Sequence, residues 1–261
     1  MNLEDNMSLV LSKIESAMNK SRFNQSVELI AVTKTVESDI INQAVSLGVK
    51  NIGENKVQEI QRKYPDISGD VRWHLIGTLQ TNKVKYIADK VDMIHSLDRI
   101  ELAKEINRQA VKHNRIIKCL IQVKISEEDT KHGVDIENVI PLVRDISDNY
   151  PNIIICGLMG MAPYCEDKEH ARPYFKKLRS IFDELENLKI PGVNMQHLSM
   201  GMSGDYEIAI EEGSTMVRVG TAIFGERVYI SLFPLLLIFF KILITSLICD
   251  IIIKSIKQEH Y

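Results

Sequence analysis

Short apolar runs alternate with amphipathic stretches along most of the chain. The runs are rich in Val, Ile and Leu and have the length of buried strands, whereas apolar residues recur every three or four positions between them, as in amphipathic helices. The pattern predicts eight strands alternating with seven helices, after one helix within residues 1–20. We expect the strands at residues 28–34, 51–55, 71–77, 93–97, 116–125, 152–161, 195–200 and 215–224.

This alternation predicts an α/β fold, a (β/α)8 TIM barrel. Strands that are apolar on both faces suit a parallel sheet covered by helices. An open doubly wound sheet is the alternative, but no G-x-G-x-x-G sequence follows the first strand. We expect the N-terminal helix to pack where a helix after the eighth strand would otherwise lie.

The pattern changes near the C-terminus, where residues 228–253 are almost all Ile, Leu and Phe, interrupted mainly by Pro234, Lys241 and Asp250. The segment is long enough to span a bilayer. Three interpretations are open: a membrane anchor, a hydrophobic helix packed on the barrel or on a partner, and a tail without selected function. We predict a barrel domain over residues 1–227 and a hydrophobic tail over residues 228–261.

Composition and charge narrow the class of protein. Apolar residues make up 45% and charged residues 26% of the chain, values typical of a globular protein. The formal net charge of −3 gives no broad attraction to nucleic acid. The four cysteines form no C-x-x-C pair and no histidine cluster has zinc spacing, so we expect no metal site. The N-terminus lacks the pattern of a signal peptide, and we expect a cytoplasmic protein.

Reactive side chains in such barrels lie at the carboxyl ends of the strands. That rule selects Lys34 after the first strand, Asn55 at the end of the second and His74 near the end of the third. Desolvation at the barrel mouth favours the neutral amine of a lysine, which is the form that attacks a carbonyl group. Lys34 is therefore a candidate for a Schiff base with a carbonyl ligand, and the alternative is a solvated lysine that opens a loop.

Two further strand ends are suited to an anion. Small residues follow the seventh strand and lead into a helix at Asp205, so that backbone N–H groups are accessible there. The segment at residues 218–221 ends the eighth strand, and barrels often bind phosphate between these two loops. The alternative is a pair of tight turns that need glycine. The candidate phosphate residues are Ser199, Gly201, Ser203, Gly204, Gly220 and Thr221.

Arg218 lies inside an apolar strand, and a buried arginine needs a partner. An amine, a phosphate site and an arginine together point to pyridoxal 5′-phosphate, with Arg218 at the pyridine nitrogen. There the arginine would keep the ring unprotonated, because it does not give up its proton easily. The alternative is an internal ion pair of Arg218 with Glu54 or Asp205.

Six segments are distinctive when taken together: AVTKT, IGENKVQE, WHLIGTLQTNK, GLMGMAP, LSMGMSGDYEIAIEEGST and VRVGTAIFGER. They resemble the pyridoxal phosphate homeostasis proteins, the YggS/PROSC family, from about residue 29 to residue 227. The resemblance implies a barrel similar to that of alanine racemase and a Schiff base between Lys34 and pyridoxal 5′-phosphate. It also implies that Ser199, Gly220 and Thr221 hold the phosphate, that Arg218 faces the ring nitrogen, and that Asn55 and His74 line the pocket.

The resemblance also implies a function in intracellular vitamin B6 and in amino-acid and keto-acid homeostasis, without an established catalytic reaction. We expect a monomeric cofactor carrier that serves pyridoxal-phosphate-dependent apo-enzymes. One alternative is an amino-acid racemase like alanine racemase, for which Tyr164 or Cys165 would be the second base. The other is a membrane-tethered adaptor held by residues 228–253. The tail departs from the family, whose members usually end soon after the IFGER-like segment.

Overall fold

The computed structural model describes residues 2–126 and 132–225. Within them, eight parallel strands hydrogen-bond in chain order, and the first pairs with the last to close a barrel. The (β/α)8 TIM barrel predicted from the alternating pattern is therefore confirmed. The strands are β1 (Glu28–Val32), β2 (Asn51–Glu54), β3 (Arg72–Leu75), β4 (Met93–Leu97), β5 (Ile117–Gln122), β6 (Ile153–Met159), β7 (Val193–Met202) and β8 (Met216–Val219).

Helices surround the barrel, and short 3₁₀ helices at Thr81–Tyr86 and Lys168–Ala171 connect some of the strands to them. The apolar stripe of each longer helix packs on the outward side chains of the strands, which forms the larger part of the hydrophobic core. The helices are α1 (Leu3–Lys20), α2 (Ser38–Ser46), α3 (Val57–Lys63), α4 (Ile100–Lys112), α5 (Ile136–Asn149), α6 (Arg172–Asn187), α7 (Tyr206–Glu211) and α8 (Thr221–Phe224).

The N-terminal helix packs, as expected, next to the short helix that follows the last strand. Asn2 caps α1, because its side chain accepts a hydrogen bond from Asp5 N and the Asp5 carboxylate accepts one from Asn2 N. The buried face of α1 lies against α7 and α8, and Asn6 Nδ2 donates to Ile223 O at 2.9 Å. Since α8 is only four residues long, α1 covers the part of the barrel that a full helix would otherwise cover.

Some predicted boundaries are wrong. Residues 221–224, predicted as the end of the eighth strand, form α8, because the amides of Ile223 and Phe224 bond back to Gly220 O. The predicted helix after the third strand is only the 3₁₀ helix Thr81–Tyr86. The seventh strand continues to Met202, so that Gly201 lies inside it rather than after it.

The predicted domain boundary and the hydrophobic tail at residues 228–261 lie outside the described residues, and their interpretations stay predictions. In the part of the chain that the structure describes, no helix combines the length and the apolar character needed to cross a membrane.

Candidate functional site

Alternate residues of the strands face the inside of the barrel. A small hydrophobic cluster fills part of this interior and includes Ile30 of β1 and Met216 of β8. The same alternation reaches Lys34, which lies two residues beyond β1 and is half-buried at the carboxyl ends of the strands. Asn55 follows β2 directly and is also half-buried. The mouth of the barrel is thus bordered by an amine and an amide, as the sequence predicts.

A tight turn carries Lys34. The amide of Val36 donates to Thr33 O at 2.9 Å, and Thr35 adopts the left-handed backbone conformation, with φ of 65°. Thr33 is fully buried, its amide donates to Gly53 O at 3.0 Å, and its hydroxyl donates to Glu54 Oε1 at 2.7 Å. The residue before Lys34 is therefore fixed by several bonds to β2.

Glu54 does not pair with Arg218, so that alternative is wrong. Its carboxylate lies on the outer side of the barrel wall and accepts from Lys63 Nζ at 2.7 Å. Both side chains are completely buried. Burial raises the pKa of Glu54, and the hydrogen bond and the charge of Lys63 oppose that rise.

A chain of polar side chains crosses the barrel interior from β2 to β8. His74 Nε2 lies 3.2 Å from Asn51 Oδ1, and His74 Nδ1 lies 2.9 Å from His95 Nε2. His95 Nδ1 lies 3.1 Å from Ser199 Oγ, and Arg218 Nη1 donates to Ser199 Oγ at 2.6 Å. All five side chains are buried, so the chain is shielded from bulk water.

The donors of this chain run in one direction. The side-chain oxygen of Asn51 is an acceptor, so His74 Nε2 donates to it, and the neutral imidazole of His74 then accepts at Nδ1 from His95 Nε2. The neutral imidazole of His95 accepts at Nδ1 from the Ser199 hydroxyl, whose oxygen accepts from Arg218 Nη1. This assignment requires two neutral imidazoles, and burial lowers the pKa of His74 to about 3 and the pKa of His95 well below its usual range.

Arg218 has neutral oxygens as its hydrogen-bond partners. Nη1 also donates to Ser199 O at 2.8 Å, and Nη2 donates to Gly160 O at 3.0 Å. Burial lowers the pKa of Arg218 to about 10, while the charge of Asp205 acts in the opposite direction. Among residues 2–126 and 132–225, no carboxylate lies within ion-pair distance of the guanidinium, so the alternative of a pair with Asp205 is wrong as well.

Backbone donors converge on Ser203 between the last two strands. The amides of Gly220 and Ala222 donate to Ser203 Oγ at 3.2 and 3.4 Å. Gly220 lies against β1, and a Cβ there would be 3.2 Å from Val32 O. Thr221 is exposed at the start of α8. The loops after β7 and β8 thus meet, and Ser203, Gly220 and Thr221 lie together.

Ser199 and Gly201 have other roles in the fold. The Ser199 hydroxyl is fully buried and bonded within the polar chain, so it holds Arg218 and His95 rather than presenting a free donor at the loop. Gly201 has φ of 91°, and a Cβ there would lie 2.6 Å from Ala209 Cβ. Gly201 therefore allows α7 to pack closely on β7, which matches the alternative of a turn that needs glycine.

Three buried polar residues of the structure are not among the predicted site residues: Asn51, His95 and Lys63. Asn51 is four residues from Asn55, and His95 is two residues from Met93, so each pair lies on the same face of its strand. The alternation of side chains along a strand could therefore have placed Asn51 and His95 inside the barrel. Lys63 continues the buried stripe of Val57 and Ile60 along α3, which places a lysine where an apolar residue is expected.

Two residues proposed as a racemase base lie in the loop after β6. The side chain of Tyr164 is 91% exposed, so in this structure it extends into solvent. Cys165 is half-buried in the same loop and is a free thiol. Within the described ranges, no group of three or more metal-binding side chains is close enough to hold an ion.

The residues at the mouth fit a phosphorylated pyridine aldehyde. Lys34 supplies an amine, the amides of Gly220 and Ala222 supply donors that now meet a serine hydroxyl, and Arg218 is a buried cation whose partners are neutral oxygens. A buried charge of this kind favours an electron-rich ligand atom beside it.

Comparisons with known proteins agree with this assignment. The family model for the alanine racemase N-terminal domain matches residues 11–228. The chain is 46% identical to the pyridoxal phosphate homeostasis protein of Aquifex aeolicus over 88% of this chain and 100% of that protein. It is 37% identical to the protein of the same name from Haemophilus influenzae, over 88% of this chain and 98% of the relative.

Solved structures are similar over the same region. PipY of Synechococcus elongatus, solved with pyridoxal phosphate bound, has a TM-score of 0.76 and 32% identity, covering 86% of this chain and 100% of that one. An unknown protein from Bifidobacterium adolescentis has a TM-score of 0.80 and 36% identity, covering 85% of this chain and 94% of that one. Alanine racemase of Clostridium difficile has a TM-score of 0.65 at 15% identity, covering 87% of this chain and 58% of that one. At this identity the similarity concerns the fold only.

Proposed function

Because the chain belongs to the family of pyridoxal phosphate homeostasis proteins, we propose that it binds pyridoxal 5′-phosphate at the mouth of its barrel. In this role it serves intracellular vitamin B6 and amino-acid and keto-acid homeostasis. The observation that carries the proposal is Arg218, a buried cation with neutral partners, in the same barrel mouth as the amine of Lys34.

Each residue of the site has a distinct task in the proposal. Lys34 holds the cofactor through its amine, and its side chain lies half-buried at the carboxyl ends of the strands. When bound, the cofactor supplies an aldehyde that condenses with an amine. Gly220, Thr221 and Ser203 bind the phosphate through backbone N–H and hydroxyl groups, and Asn55 lines the mouth.

Arg218 faces the pyridine nitrogen as a donor. Its position is fixed by Ser199 and Gly160, and Ser199 is oriented in turn by His95. Even with a pKa of about 10, the guanidinium keeps its proton at neutral pH and leaves the ring nitrogen as an acceptor. An unprotonated ring withdraws electrons weakly, which suits a protein that stores a cofactor more than one that activates substrates.

We propose that the protein is a carrier without robust turnover. Racemisation needs a second base on the opposite face of the substrate, and the exposed side chain of Tyr164 does not provide one in this structure. Its recipients would be pyridoxal-phosphate-dependent apo-enzymes, and we place the protein in the cytoplasm as a monomer. Residues 1–227 form the cofactor-binding domain in this proposal, and residues 228–261 form a separate tail whose attachment to a membrane is one of its possible roles.

A titration and an exchange experiment test the proposal. The purified full-length chain should bind about one equivalent of pyridoxal 5′-phosphate with a new visible absorbance band, and it should reactivate an added apo-enzyme that depends on this cofactor. With alanine in heavy water, the loaded protein should not exchange the α-proton at a catalytic rate. Rapid exchange would support the racemase alternative, and no absorbance change would contradict cofactor binding.

A further inference from the structure

Lys63 is a charged side chain that the proposed cofactor site does not use. It is the last residue of α3 and is completely buried. Its Nζ donates to Thr33 O at 2.8 Å and to Glu54 Oε1 at 2.7 Å, and it lies 3.0 Å from Glu59 Oε2. A lysine ammonium has three N–H groups, so every donor of Lys63 has an acceptor. Burial of a charge is costly unless it is paired and hydrogen-bonded, and Lys63 meets both conditions.

The contacts of Lys63 converge on the residue that precedes Lys34. Thr33 accepts from Lys63 at its carbonyl oxygen, which also accepts from the amide of Val36. The Thr33 hydroxyl donates to Glu54 Oε1, the same oxygen that Lys63 contacts. Lys63, Thr33 and Glu54 therefore form a closed triangle of hydrogen bonds, which connects α3, β2 and the Lys34 turn.

We propose that Lys63 is a positioning residue, which acts through Thr33 and Glu54 to fix the turn that presents the Lys34 amine to the ligand aldehyde. This inference rests on the function proposed above. Lys63 has no exposed surface, so it cannot touch a molecule bound in the open mouth. Its influence passes through the Thr33 carbonyl, one peptide unit from Lys34. A small displacement of a reacting group lowers the rate of bond formation steeply, because close approach and alignment are both required.

Among the described residues, no hydrogen bond joins the phosphate side of the site to this triangle. Ser203, Gly220 and Thr221 lie at the ends of β7 and β8, and Lys63 makes its contacts with β2, its own helix and the turn after β1. The loss of Lys63 should therefore affect covalent capture of the aldehyde without affecting recognition of the phosphate and the ring. A general loss of structure would affect both.

The test compares two ligands on the full-length Lys63→Met protein. Pyridoxal 5′-phosphate reports covalent capture, measured as the rate at which borohydride-reducible label accumulates on the Lys34 peptide. Pyridoxine 5′-phosphate has an alcohol in place of the aldehyde and reports non-covalent binding, measured by calorimetry. We expect the labelling rate of Lys34 to fall by about 10- to 100-fold, while the Kd for pyridoxine 5′-phosphate stays within about two-fold of the unaltered protein. Arg62→Met is the matched control, since it removes an exposed cation from the adjacent position and should change neither value.

A second variant distinguishes a loss of positioning from misfolding. Lys63→Met leaves the buried carboxylate of Glu54 without its cation, whereas the double variant Glu54→Gln, Lys63→Met removes both charges. The double variant should show the same selective loss of Lys34 labelling. Unchanged labelling, an equal loss of both ligands, or a failure of both variants to fold would overturn the positioning role. If the unaltered protein binds pyridoxine 5′-phosphate but is never labelled at Lys34, the proposed function fails instead.

Discussion

Histidine and arginine side chains inside the barrel are held in defined protonation states by their neighbours. His74 donates to Asn51 Oδ1 and accepts from His95, and His95 accepts from the hydroxyl of Ser199. Because both imidazoles are neutral, the tautomer of each follows from the Asn51 oxygen at one end, and Arg218 donates to Ser199 at the other. Protonation of His74 would place two donors against each other at its contact with His95, which is 2.9 Å long.

This arrangement predicts a pH dependence of stability. Because the folded-state pKa values of His74 and His95 are lowered, the unfolded chain binds more protons than the folded chain below about pH 6.5. The histidine contribution to the free energy of unfolding is therefore complete above that pH. It falls as the pH drops from about 6.5 toward the folded-state value of about 3 for His74, by up to about 1.4 kcal/mol per pH unit for each group.

Denaturant unfolding between pH 7 and pH 5 measures this contribution. A His74→Gln variant should be less stable at pH 7 but should lose less stability between the two pH values than the unaltered protein. The exposed His170 provides the control, and His170→Gln should leave the slope unchanged. An equal slope in all three proteins would contradict the assignment of neutral buried imidazoles.

At the scale of elements, the junction of β7 and α7 determines where the phosphate loop lies. Gly201 has φ of 91°, and its bare backbone lies against Tyr206 and Ala209 of α7. This close approach lets the chain turn from β7 to Ser203, which meets the amides of the β8 loop. The small residues of the sequence located the loop but left both a ligand role and a tight turn open for Gly201, because helix–strand contact distances cannot be read from a single segment.

A Gly201→Ala substitution should therefore be strongly destabilising. The added methyl would lie 2.8 Å from Tyr206 Cα, and the positive φ disfavours any L side chain, so we expect a loss of about 2–4 kcal/mol in the free energy of unfolding. Affinity for pyridoxine 5′-phosphate should fall as well, since Ser203 would move. Gly204→Ala is the matched control, because a Cβ at Gly204 meets nothing within 4 Å. Equal stability of the two variants, measured by chemical denaturation, would refute this explanation.

For the whole molecule, the alternation of strands and helices was sufficient to predict the closed barrel and the place of the N-terminal helix. The position of Lys34 and Gly220 at the mouth of the barrel could also be predicted, since the carboxyl ends of parallel strands meet at one end of a barrel. The hydrogen-bond partners of His95 and Lys63 could not be predicted from the sequence. They depend on which residues face each other across the barrel interior and between α3 and the strands. For Arg218, the sequence indicated that the guanidinium needs a partner but not which one. In the structure its partners are neutral oxygens of Ser199 and Gly160 rather than the carboxylates of Glu54 or Asp205.

The proposed division of the chain makes a prediction at this scale. All residues assigned to the cofactor lie between Lys34 and Thr221, so a chain ending at residue 227 should bind pyridoxal 5′-phosphate with the same stoichiometry and affinity as the full chain. Absorbance titration of both forms measures this. A loss of binding on truncation would show that residues 228–261 take part in the site and would contradict the proposed domain boundary.

The central claim is that the Lys34 amine captures the cofactor aldehyde. The most direct measurement is to load the full-length protein with one equivalent of pyridoxal 5′-phosphate, reduce it with borohydride, digest it and locate the added mass by peptide mass spectrometry. The account predicts that the label lies predominantly on the peptide that contains Lys34. A label carried by other lysines, with Lys34 unmodified, would contradict it.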